Sequence, residues 1–289
     1  MSDPTYHAVV VMGPGAPDAL DSVAWKIKAP MITLGPDAAE VHLPAGVAAD
    51  VAKNMRSSSF DIACVPLEGR RKKLLLADMD ATIIEQESLD VLADAFGFGR
   101  EVAKITDRAM RGELDFESAL KTRVALLRGH EIDKAAAVLR ERITITAGAK
   151  TLVKTMSAHG ARSALVTGGF DMFAAPVAER VGFDEVYANR LRSTDFRFTG
   201  QVAEPILGQN AKAERLETLC REHGLRAEDV MAVGDGANDR AMITAAGYGV
   251  GFRPKPVLAG VADAVLRHTD LTALLYIQGF RRDEFVLVG

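Results

Sequence analysis

The order of apolar segments predicts an α/β protein in two parts: a parallel sheet covered by helices and interrupted by a helical insertion, preceded by a smaller α+β unit. Three observations carry this expectation. Short continuous apolar runs recur from residue 73 onward, mostly separated by helical stretches. About sixty residues of helical periodicity separate the first two runs, and the first seventy residues follow a different order, βαββαβ.

In the leading unit, HAVVVMG reads as a strand and PDALDSVAWKI as a helix. PMITLG and EVHLP form a strand pair around GPDAA, GVAADVAKNM is a helix and FDIACVPL a strand. That order is the ferredoxin-like pattern, expected over residues 1–70. The basic stretch GRRKK at 69–73 breaks the apolar pattern and is expected to be a solvated connector, with a phosphate-binding role for Arg70 or Arg71 as the less favoured reading.

The second unit, residues 71–289, carries the apolar strands KLLLA, ARSALV, DVMAVG, GYGVGF and ADAVLR. Such runs suit a Rossmann-like parallel sheet buried on both faces. The helical segments ESLDVLADAF, REVAKITDRAM, FESALKTRVALLR and DKAAAVLRERI at about 88–147 are expected to form a cap over it. VYANRLRSTDFRFTGQV at 186–202 alternates like two strands around STD, so a hairpin is expected.

The 289 residues, 48% of them hydrophobic, can bury a large core. A formal net charge of −4 leaves no electrostatic footprint for nucleic acid. No segment has the length and apolarity of a membrane span or the form of a leader. The two cysteines, Cys64 and Cys220, lie far apart and lack metal-ligand spacing. A cytoplasmic protein with neither nucleic-acid nor membrane partners is expected.

In open parallel sheets, ligands bind outside the carboxyl ends of the strands. Here one strand runs into DMDAT, the next into TGGF and the third into GDGAND. A single aspartate at a strand end is usually a turn former or helix cap, but three such ends converging on carboxylates, a hydroxyl and glycines point to a ligand. Asp78, Asp80, Asp235 and Asp239 are too crowded to stay unpaired, and Mg²⁺ would neutralise several of them beside a substrate phosphate. Glycines let backbone N–H groups approach phosphate oxygens, Thr167 adds a hydroxyl and Lys212 a cation. Asp78 and Asp80, two apart on an extended chain, can face one ligand. One would attack phosphorus to give an aspartyl phosphate while the other moves protons.

DMDAT, TGGF, the lysine of QNAKAERL and GDGANDRAMI together resemble the four motifs of the haloacid dehalogenase-like superfamily of aspartyl-phosphate phosphatases. The helical insertion resembles the cap of its phosphoserine-hydrolysing members, over essentially residues 73–280. The resemblance implies Asp78 as nucleophile and Asp80 as proton donor and acceptor. It implies Mg²⁺ on Asp78, Asp235 and the Asp80 carbonyl, phosphate contacts from Thr167 and Lys212, and fourth-motif organisation by Asn238 and Asp239. Glu87 and Arg123 match residues that hold the amino and carboxylate groups of O-phospho-L-serine, and Met110, Phe116 and Gly168 match other pocket positions. Ala81 stands where serine is common, with little effect expected, and Thr167 where serine is usual.

The leading unit resembles an ACT-type domain, which implies either an L-serine site or a homodimer contact. Two other functional readings stay open. One is a related phosphatase or phosphotransferase acting on another small phosphate such as phosphohomoserine; the other is a catalytically silent amino-acid sensor.

Overall fold

The computed structural model describes residues 5–55, 59–110, 113–208 and 210–288. The first elements are β1 (Tyr6–Met12), α1 (Ala16–Ile27), β2 (Met31–Gly35), β3 (Ala38–Pro44), α2 (Ala45–Asn54) and β4 (Asp61–Pro66). Their strands form an antiparallel sheet in the order β2-β3-β1-β4. The βαββαβ element order read from the sequence is present in these residues.

The main sheet is built from β5 (Leu74–Ala77), β6 (Arg162–Phe170), β7 (Glu185–Asn189), β10 (Val230–Gly234), β11 (Tyr248–Phe252) and β12 (Ala264–Leu266). All pairings are parallel, in the order β12-β11-β10-β5-β6-β7. Between β5 and β6 lie α3 (Ser88–Phe96), α4 (Gly99–Met110), α5 (Phe116–Ala125) and α6 (Ile132–Arg142), followed by α7 (Ala149–Ala158). The remaining elements are α8 (Asp171–Val181), β8 (Leu191–Thr194), β9 (Arg197–Val202), α9 (Ala211–Glu222), α10 (Arg240–Ala245), α11 (Pro256–Ala259) and α12 (Ala273–Ile277).

Alternation explains the continuous apolar runs. Leu75 and Ala77 of β5 face a core with α7, α8 and α12, whereas Leu74 and Leu76 face one with α9 and α10. Each strand therefore needs apolar residues at every position. The same holds for β1. Val9 and Val11 pack against α1 and α2, while Ala8, Val10 and Met12 join the core shared with the main unit.

Two sequence expectations are corrected. The residues expected to start the 186–202 hairpin instead form β7, pairing with β6 at the edge of the main sheet. Only β8 and β9 pair as the hairpin. VYAN is therefore recruited by a distant strand, which local alternation does not reveal. The GRRKK connector is likewise not fully solvated. Arg70 is 8% exposed and donates to the Glu40 carboxylate and to the carbonyls of Tyr276 and Ile277. It serves neither as linker surface nor as a phosphate ligand.

Arg70 is one of several ties between the units. Asp61 accepts bonds from the backbone N–H groups of Arg267, His268 and Thr269 and from the Thr269 hydroxyl. The Tyr248 hydroxyl donates to the Cys64 carbonyl. Burial pushes the Glu40 carboxyl up, but hydrogen bonds and charge from Arg70, with help from His42, outweigh it and hold it below its ordinary value of 4.5.

Arg70→Met should therefore leave the buried Glu40 carboxylate with the His42 imidazole as its side-chain partner and cost about 2–3 kcal/mol of unfolding free energy, measurable by denaturant titration. Because the folded-state value of Glu40 is depressed, its pairing stabilises the fold above pH 4.5 and is lost as pH falls through the lower folded-state value. The difference between wild type and Arg70→Met should shrink in that acid window.

Candidate active site

β5 lies between β10 and β6, so the residues following these strands meet at one place. Asp78 immediately follows β5, and its N–H donates to the Val233 carbonyl of β10. Asp235 follows β10, while Thr167, Gly168 and Gly169 lie where the β6–β7 register breaks between Val166 and Phe170. That irregularity frees Gly168 and Gly169 from regular sheet pairing. Together these residues line a cavity of about 240 Å³ that also takes in Asp80, Glu87, Phe116, Arg123 and Asn238.

At its floor, the Lys212 ammonium donates to Asp78 Oδ1 and Asp239 Oδ1, each at 2.5 Å. All three residues are at most 3% exposed. Asp239 Oδ2 also accepts the N–H groups of Asp235 and Gly236, so both its oxygens are engaged. Gly234 permits this approach: a Cβ there would lie 2.4 Å from the Asp239 Cγ. Burial, then the nearby Asp239 charge, raises the Asp78 carboxyl well above its ordinary range, with Lys212 opposing the rise. Burial alone would lower the Lys212 ammonium, but Asp239 and Asp78 outweigh it and the net shift is upward.

Oxygens of Asp78, Asp235 and Asp239 all lie within 4.8 Å of one another, close enough to share a metal ion. Asp239 is committed to Lys212 and two N–H groups, whereas the second oxygen of Asp78 has none of these bonds. The donor set suits a hard divalent ion on Asp78 and Asp235, with Asp239 anchoring the lysine.

A tight turn over Met79–Ile83 carries Asp80 away from the sheet. Ala81 sits at φ 52°, a left-handed conformation uncommon for a side chain bearing Cβ. Beyond the turn, Ser88 opens α3, and its N–H and hydroxyl both donate to the Asp80 carboxylate at 3.1 Å. Burial and the Glu87 charge push Asp80 up to about 7 against those bonds. Gly169 allows this packing, because a Cβ there would lie 3.1–3.2 Å from Met79 Cε, Thr167 Oγ1 and Asp80 Oδ2.

Farther out, Arg123 of α5 is half-buried, and its buried Nε has no hydrogen-bond partner. Burial lowers the guanidinium, opposed by the charges of Asp90, Glu87 and Asp80. Such an orphaned donor facing a cavity suits an anionic ligand group. Glu87 is exposed at the rim, and Phe116 approaches Gly168. Asn238 lines the cavity beside Gly236. Among the expected site residues, only the side chain of Met110 lies outside what the structure describes.

The sequence reading missed four contributors. Ser88 fixes Asp80. Asn189 holds the TGG segment, donating to the Gly168 carbonyl while accepting from the Leu207 N–H. Asp90 and Lys255 line the cavity. Each is a common polar residue outside the motifs, recognisable only through its partners.

The model of haloacid dehalogenase-like hydrolases matches residues 75–244. The chain belongs to this family. Phosphoserine phosphatase from Methanocaldococcus jannaschii is 41% identical over 206 residues, covering 71% of this chain and 97% of that protein. A substrate-bound phosphoserine phosphatase complex superposes with TM-score 0.67 at 40% identity, covering 71% of this chain and 97% of that one. A haloacid dehalogenase-family hydrolase from Salmonella enterica serovar Typhi shares the fold over 94% of this chain and 98% of its own, with TM-score 0.84 at 24% identity. The parallel core and the identified family agree with the sequence expectation.

Ser88→Ala removes a hydrogen bond that favours the ionised Asp80 carboxylate. Carbon-13 NMR titration should then place Asp80 above its starting value of about 7, with the fold intact. An unchanged or lowered value would contradict the assigned hydrogen bond.

Proposed function

We propose that the protein is an Mg²⁺-dependent phosphoserine phosphatase that converts O-phospho-L-serine to L-serine and phosphate. The observation that carries this reading is one cavity with two chemically different ends. Asp78, Asp80 and Thr167 line the floor, with Lys212 bonded to Asp78 behind it, while Glu87 and the unpartnered Arg123 Nε stand farther out. A phosphorylated amino acid presents a phosphate, an ammonium and a carboxylate, the three groups this arrangement can receive. Relatives named phosphoserine phosphatase, at about 40% identity, support the same substrate.

In the proposed reaction, an Asp78 oxygen attacks phosphorus, the bond to the serine oxygen breaks, and Asp80 protonates the departing alkoxide. Asp80 then takes a proton from the water that attacks the aspartyl phosphate, restoring Asp78 and releasing phosphate. A position near neutrality suits a group that must both donate and accept. Lys212, the Thr167 hydroxyl and N–H groups around Gly168 hold the phosphate oxygens, with Asn238 supporting that end. Mg²⁺ would be held by Asp78, Asp235 and the Asp80 carbonyl, and would neutralise phosphoryl charge.

Glu87 receives the ammonium and Arg123 the carboxylate, while Phe116 completes the pocket. The helical segment at about 88–147 acts as a cap that limits water around the reacting groups. Residues 1–70 correspond to a ferredoxin-like, ACT-type domain ahead of a phosphatase domain at 71–289, and offer an L-serine site or a homodimer contact. Two free cysteines fit a cytosolic setting.

The test is phosphate release from phosphoserine, phosphohomoserine and sugar phosphates, with and without Mg²⁺. Wild type should prefer phosphoserine and require the metal, and Asp78→Asn should lose at least about 10³-fold in kcat. Arg123→Ala should lose about 10²-fold in kcat/KM for phosphoserine and much less for p-nitrophenyl phosphate, which has no carboxylate to bind. Equal wild-type rates on sugar phosphates would refute the substrate assignment.

A further inference from the structure

Lys255 stands in none of the motifs, yet it joins the two ends of the cavity. Its backbone N–H donates to the Asp235 carbonyl at 2.8 Å. The side chain turns back, placing Nζ 3.1 Å from Asp235 Oδ2 and 3.5 Å from Glu87 Oε1. The local backbone fixes its base: Arg253 adopts φ 44°, and Lys255 lies between Pro254 and Pro256. Asp235 and Glu87 are the carboxylates assigned above to the metal and the substrate ammonium.

The two active-site lysines differ in freedom. Lys212 is enclosed between Asp78 and Asp239 with its side chain 4% exposed, whereas the Lys255 side chain is 56% exposed. An enclosed ammonium cannot leave without abandoning its partners in a poorly solvated site. A half-exposed one can exchange carboxylate for water at little cost. A divalent ion on Asp235 or an ammonium on Glu87 would place like charge beside Nζ and favour that exchange.

Resting on the assignments of Asp235 and Glu87 in the proposed function, we propose that Lys255 is a tethered counter-cation that competes with the divalent ion for Asp235 and with the substrate ammonium for Glu87. It acts through these two carboxylates and touches no reacting atom. Each ligand displaces the same ammonium, so binding of one removes part of the cost of binding the other. The result is positive coupling between metal and amino acid that does not depend on phosphate. When L-serine departs, Lys255 returns to Glu87 and opposes rebinding of the product amine.

An orienting role for Lys255 would have the opposite sign. If it served only to hold Asp235 in a metal-binding posture, removing it would weaken the metal. Calorimetric titration of Mg²⁺ into the full chain distinguishes the two. Lys255→Met should bind Mg²⁺ about three- to fivefold more tightly than wild type, the range expected for a half-exposed pair. Lys255→Gln should do the same, providing a second neutral variant should the first fail to fold, and Lys255→Arg should stay close to wild type. Equal or weaker Mg²⁺ binding by the neutral variants overturns the proposal.

Saturating L-serine should strengthen Mg²⁺ binding by a larger factor in wild type than in Lys255→Met, and equal factors overturn the shared displacement. Asp235→Asn separates this inference from its premise. That variant should lose Mg²⁺ binding, and retention of wild-type affinity would instead refute Asp235 as the metal carboxylate.

Discussion

Buried negative charge at the ends of two adjacent strands, β5 and β10, is the constraint around which the site is organised. Asp78, Asp235 and Asp239 crowd together, and Lys212 is the enclosed cation among them. Carboxylates in such a setting must be paired, protonated or joined by a metal. The sheet order creates the crowding by placing β5 between β10 and β6. Small residues then make it sterically feasible: Gly234 leaves room for Asp239, and Gly169 for Asp80 and Thr167. The same imbalance that would destabilise an ordinary core makes the floor receptive to a metal ion and a phosphate.

Away from that floor, constraint relaxes by degrees. Lys212 is locked by two carboxylates, Asp80 by two bonds from Ser88, and Arg123 retains an unpartnered Nε. Glu87 and Lys255 at the rim are about half exposed. Groups proposed to stabilise reacting charge thus sit at the strand ends or, like Lys212 of α9, are bonded to residues there, where geometry is stiff. Those proposed to recognise the rest of the ligand sit on the helical insertion and an adjoining loop, where side chains can exchange partners. Ser88 bridges the two regimes because it opens the first inserted helix while holding Asp80.

Legibility followed the range of the interactions. Asp78, Asp80, Asp235 and Lys212 could be found because strand ends and short motifs are local; the three aspartates line one cavity and Lys212 is bonded to Asp78. Arg70 was misread because nothing nearby reveals its partners, Glu40 on another strand and carbonyls at Tyr276 and Ile277. VYAN was misassigned for a related reason: alternation predicts a strand but not its neighbour. Ser88, Asn189 and Lys255 carry no distinguishing local pattern. Ala81 could be seen as a departure in side-chain type, whereas its left-handed backbone could not.

The two-faced burial of β1 has a consequence for modularity. In a sheet with one solvated face, alternate residues would be polar and the unit could be detached or transplanted intact. Here Val10 and Met12 are as thoroughly covered as Val9 and Val11, the former pair by the core shared with the main unit. Separating the units would uncover apolar surface on both pieces, strip Asp61 of its bonds to residues 267–269 and divide Glu40 from Tyr276 and Ile277, the two sets of partners that Arg70 joins. The leading segment is thus a structural commitment, and deleting it would require redesigning the surface left behind.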